Sequence, residues 1–141
     1  VGSVATIALR EASDVSAAAD PVRAAAVVGL LASLLVGINL NGWTVFTEQA
    51  ALAVYGGAFV GMSLPSRLLN SSPPRNTTWQ LLGSFAMAGA LGGWIHSLTN
   101  HWNWWLGGWG GKAGFCSFLG VLLYQRIYKS WQSLCKKSKS I

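Results

Sequence analysis

The chain holds two imidazoles, His96 and His101, and after Asp20 a single carboxylate, Glu48. A helical zinc pair needs the four-residue step of HExxH, and His96 and His101 are five apart. With Glu48 they make only a loose set, so no metal is expected. Cys116 and Cys135 lie far apart on one helical stretch, neither within a CxxC, and read as free thiols in a reducing compartment. The GGKAG sequence around Lys112 lacks the preceding strand and the spacing of a phosphate loop. No nucleophile has a base beside it and no two acids pair. A catalytic set and a cofactor are therefore not expected, and the chain does not read as an enzyme.

Lys112 is the ionisable residue with the strongest claim to function. It sits among Gly, Trp, Phe and Leu, on the last apolar stretch of the chain. An ammonium in such a layer faces a partner or a wet cavity, or else snorkels along its four-carbon stem to the headgroups. With Glu48, His96 and His101 it makes a candidate polar vestibule, in which a lone cation would disfavour cations.

These residues must be carried by membrane helices. Of 141 residues, 52% are hydrophobic and 10% charged, against roughly a quarter charged in soluble domains. Between Arg23 and Lys112 only Glu48, Arg67 and Arg75 are charged. A bilayer core takes about 20 apolar helical residues. Four stretches fit: Arg23 to Leu40, Gln49 to Leu64 before Pro65, Trp79 to Leu98, and one from between Trp104 and Gly110 to Ile127. Thr47 before Glu48 reads as the cap of the second. The expected fold is an all-α integral membrane protein with four transmembrane helices. Its parts are a lead-in segment (1–22), a helical hairpin (23–69), a loop (70–78), a second hairpin (79–128) and a basic tail (129–141).

Orientation follows from Lys and Arg. Arg67 and Arg75 lie in the middle loop, and Arg126, Lys129, Lys136, Lys137 and Lys139 follow the last span; the other two connections have none. Both termini and the middle loop are thus expected on the cytoplasmic side, of an inner or plasma membrane in a bacterium. Trp43, Trp79, the 101–105 run with its three Trp, and Trp131 suit the headgroup layer. The basic tail is expected to meet anionic lipid, and no nucleic-acid reader is present.

Sliding the chain by 54 residues sets Tyr55-Gly56-Gly57 on Trp109-Gly110-Gly111 and Ser63 on Ser117. Two parallel two-helix repeats would produce this; so would chance in a chain with 17 Gly. Each Gly in a helix costs about 1 kcal/mol against Ala. Gly56, Gly57, Gly110 and Gly111 are therefore expected where helices pack closely. Four short helices with small faces enclose little volume, so the expected function is a small oligomeric transport or channel-like protein. The alternative is a non-catalytic accessory or assembly subunit of a larger membrane complex. The expected partners are the bilayer and either copies of the chain or that complex.

Overall fold

The computed structural model describes residues 1–12, 20–37, 44–63, 65, 68, 78–99, 101–102 and 108–138. Among them the chain is all-helical, with five helices: α1 (Gly2–Ala12), α2 (Pro21–Gly37), α3 (Thr44–Gly61), α4 (Thr78–Leu98) and α5 (Gly108–Ser138). Local chemistry sets several ends. Asp20 caps α2, its Oδ1 accepting the Val22 N–H at 2.9 Å. Pro21 follows at the first helical position, where its missing N–H does no harm. α3 starts at Thr44 rather than at a Thr47 cap, so Thr47 and Glu48 lie within its opening turns. α5 does not stop near Ile127 but runs through the basic stretch to Ser138. Residues 121–138 contain neither Gly nor Pro, and Leu, Gln, Lys and Arg hold a helix well.

The segment expected to be a lead-in contributes to the core. Ser3, Thr6 and Ile7 of α1 are buried, and α1 lies against α2, α3 and α5's partner α4. Its seat is made of glycine. A Cβ on Gly2 would overlap the Val54 carbonyl, one on Gly57 would come within 3.0 Å of the Ser3 nitrogen, and one on Gly61 within 2.5 Å of Thr6 Cβ. α1 thus runs alongside α3 in the same direction, backbone against backbone. One apolar cluster joins Ile7 to Val60, Leu81, Phe85, Ala88 and Val121. A second joins Ala25 and Val28 of α2 to Ala58 of α3.

α4 and α5 form the most extensive pair, an antiparallel hairpin. Its register is fixed by Gly120 against Ala88 and Gly92, by Gly92 against Cys116 and Ser117, and by Tyr124 bonded to Ser84. The end where α4 passes into α5 is called here the turn end, and the opposite one, near Thr78 and Gly61, the tail end.

Only α4, with 21 residues, is long and apolar enough among the described residues to cross a membrane. The apolar parts of α2 and α3 are shorter, Pro21–Leu34 and Ala50–Gly61. Among the described residues, length and apolarity together meet the expectation of four crossings in α4 alone. Large apolar side chains nevertheless cover the outside. Val27, Leu30, Leu31 and Leu34 are exposed along α2, Met87, Trp94 and Leu98 along α4, and Phe115, Phe118 and Leu122 along α5. The middle loop with Arg67 and Arg75, the first connection with Trp43, and Trp104, Trp105 and Lys139 lie outside the described residues.

Candidate functional site

Lys112 is buried, 5% exposed, and its Nζ donates to the Thr99 carbonyl at 2.9 Å. The reason lies in the two helix ends. Thr99 directly follows α4, where the last carbonyls lack intrahelical partners and the helix dipole is negative. Lys112 stands in the opening turns of α5, so its ammonium crosses the hairpin to that negative end. Thr99 is held in turn: its N–H donates to the Ile95 carbonyl at 3.0 Å, and its hydroxyl to the same carbonyl at 2.9 Å. The Thr99 hydroxyl also lies 3.8 Å from Cys116 Sγ. Lys112, Thr99 and Cys116 together fasten the turn end of the hairpin.

The four vestibule candidates are placed unequally. His96 is on α4, one turn before Thr99, and lines a groove beside the hairpin. His101 is exposed just past the α4 end. Glu48 lies on the α3 backbone, and its side chain is outside the described residues. Lys112 does not line the groove; it reaches the Thr99 carbonyl. Among the described residues, no three His, Cys, Asp or Glu side chains gather into a metal-holding group.

The groove runs between α3, α4 and α5 and encloses about 310 Å³. Gly56 and Gly57 form its α3 wall, Gly89, Gly92, Gly93 and His96 much of its α4 wall. Cys116 and Ser117 close it from α5, where the Ser117 hydroxyl donates to the Gly56 carbonyl at 2.8 Å. The doubled glycine of α3 thus meets two neighbours. Gly57 admits α1, while Gly56 leaves its carbonyl open to Ser117 and space in the groove, since a Cβ there would meet nothing within 4 Å. The other doubled glycine differs: Gly110 and Gly111 are exposed, and a Cβ on Gly110 would also meet nothing.

Arg10, which is not among the candidate site residues, makes a structural contact at a second helix end. Its Nη1 donates to the carbonyls of Gly61 at 2.9 Å and Ser63 at 3.1 Å, so a guanidinium closes the C-terminal end of α3 as Lys112 closes that of α4. The available signal was a lone Arg ending an apolar helical run. Tyr124 is half-buried, its hydroxyl donating to Ser84 Oγ at 2.7 Å. No protein-family description, curated protein or solved structure matches this chain.

Proposed function

We propose that this chain is an integral membrane protein whose two hairpins, α2–α3 and α4–α5, both cross the bilayer, and that it serves as a non-catalytic assembly subunit. The membrane reading rests on the exposed apolar faces of α2, α4 and α5. An exposed area that broad would drive association in water and suits lipid. The middle loop and the C-terminal segment are assigned to the cytoplasmic side by their Lys and Arg, and the basic end of α5 to anionic lipid; the expected cytoplasmic N-terminus does not fit α1, whose Gly2 end lies level with the middle of α3 and away from the tail end.

The observation that carries the subunit role is the use made of the buried polar groups. Lys112 serves Thr99, Ser117 serves Gly56 and Tyr124 serves Ser84, so each ties one helix to another. Membrane helices packed on small residues gain from close van der Waals contact, and such a body is built for contact with other helices. A second reading, an oligomeric conduit, is favoured by His96 and Ser97 in the groove wall. Purification from native membranes followed by flux measurement in liposomes separates the two. A stoichiometric assembly without flux is expected; reconstituted protein that conducts by itself would establish the conduit instead.

A further inference from the structure

Two faces can be followed along α5. Ser117, Gly120, Tyr124, Tyr128, Trp131 and Cys135 recur at steps of three and four, and so do Phe118, Leu122, Arg126, Lys129 and Ser133. Such steps keep each series on one side of the helix. The first series is the inner face: Ser117 bonds to the Gly56 carbonyl, Gly120 lies against Ala88 and Gly92, and Tyr124 bonds to Ser84. Among the described helices α5 packs on α3 and α4 alone. Both end before it does. α3 stops at Gly61, level with Leu122, and α4 begins at Thr78, level with Ser130 by the hairpin register. From Trp131 to Ser138 α5 runs on by about 12 Å. Its inner face stays apolar there and becomes exposed, Trp131 by 66% and the neighbouring Leu134 by 64%.

The outer face changes near the same level. Phe118 and Leu122 are exposed where the hairpin is paired, and Arg126, Lys129 and Ser133 are exposed after them. Outward apolar residues give way to cations where a helix leaves the hydrocarbon. Past that level the polarity of α5 is reversed, with its cations outward and its apolar side over the end of α4.

The inner stripe thus continues the α4–α5 interface beyond the point where α4 supplies it. It looks over the end of α4, so protein rather than lipid lies beneath it. A second copy inserted in the same orientation would have to run its own α5 through α4 to reach it. Charge selects among other proteins. The last turns of α5 carry Arg126, Lys129, Lys136 and Lys137, and the chain has no acid after Glu48. A helix is about 10 Å across, close to one screening length, so the stripe sits in a positive field. An acidic helix with an apolar face complements both properties.

We propose that the stripe of Tyr128, Trp131 and Cys135, widened by Leu134, docks an acidic amphipathic helix of another protein at the cytoplasmic side of the assembly. The inference rests on the proposed membrane subunit role and gives that subunit's partner a contact and a chemistry.

Cys135 reports on the contact, being exposed while Cys116 is buried. Its labelling by a membrane-impermeant maleimide is compared in opened native membranes and in the purified chain, reconstituted into liposomes of the lipids from those membranes. Labelling is expected to be about tenfold slower in native membranes. Trp131→Asp with Leu134→Asp should bring the native rate up to the purified one, with the thermal midpoint of the purified chain unchanged because both positions are exposed. A synthetic amphipathic helix of Leu and Glu, added to the liposomes, should restore protection saturably, and its Leu and Lys counterpart should not. Slow labelling in both membranes gives the stripe to lipid or to the chain itself and overturns the proposal. Fast labelling in both, or equal protection by the two peptides, overturns it too. Carbonate extraction separates the levels. A released chain overturns the membrane reading, and an integral chain that purifies without a stoichiometric partner overturns the subunit reading. A stoichiometric complex that keeps both its partner and its Cys135 labelling rate after the double substitution overturns the docking surface alone.

Discussion

At the scale of single residues, two cations decide how helices end. Lys112 and Arg10 each deliver hydrogen bonds to carbonyls at a helix C-terminus, at 2.9 Å in both cases. Hydrogen bonds from charged groups contribute about 1.5–3 kcal/mol, and loss of the donor leaves a buried acceptor unsatisfied. Lys112→Met keeps the stem and removes the donor, so it is expected to lower stability by about 1–3 kcal/mol, read as a fall in the urea or thermal midpoint in detergent. Lys112→Arg should recover part of that loss. Unchanged stability in Lys112→Met would mean that the ammonium is not held by Thr99. For Arg10→Met, amide exchange should rise at the last turn of α3 while α4 and α5 keep their protection. The loss is smaller, up to ~2 kcal/mol, because the site is partly open to solvent.

At the scale of helices, glycine sets the distances. α4 and α5 touch at Gly120, where a Cβ would lie 2.5 Å from the Gly92 nitrogen and 2.7 Å from the Ala88 carbonyl oxygen. Both are backbone atoms that cannot turn aside. Gly120→Ala should therefore push the hairpin apart at a cost of about 1–3 kcal/mol, the usual range for overpacking. Gly83→Ala is the counterpart: a Cβ there meets nothing, so the better helix former should stabilise by up to ~1 kcal/mol. Thermal midpoints of the two variants should move in opposite directions.

The same contrast shows what could be read in advance. Helix existence and the ends of α4 followed from apolar length and from the lack of charge between Arg75 and Lys112. That Lys112 would face a partner, face a wet cavity or snorkel to the headgroups followed from its apolar surroundings. Its partner did not, because a backbone carbonyl such as that of Thr99 leaves no mark in composition or spacing. Nor could composition separate glycines under another helix, such as Gly57, from glycines on the outside, such as Gly110. The α1 segment differs from its expected lead-in role for a related reason: ended by Arg10 and followed by three acids, it looks polar at the margin, yet Ser3 and Thr6 are buried where they meet glycine.

At the scale of the whole molecule, helix direction and charge make a single statement about topology. α3 and α5 run in one sense and α4 in the other. The C-terminal end of α3 and the start of α4 lie at the same end of the bundle as the basic end of α5, and the end of α4 lies at the other. Arg126 and Lys129 are exposed near the tail end, level with Leu82 and Trp79 by the hairpin register. Positive residues beside a span stay cytoplasmic, so the tail end should face the cytoplasm. The proposed four crossings require position 72, in the middle loop, and position 103, in the α4–α5 connection, to lie on opposite sides. Single-cysteine variants Ser72→Cys and Asn103→Cys, with Cys135→Ser and the buried Cys116 retained, test this with a membrane-impermeant maleimide. In sealed, right-side-out vesicles Asn103→Cys should label directly and Ser72→Cys only after the membrane is opened. The reverse pattern would leave the crossings and turn the protein over, against its Lys and Arg. Labelling of both from one side would remove α4 as a crossing helix, although it is the helix best suited to cross by length and apolarity.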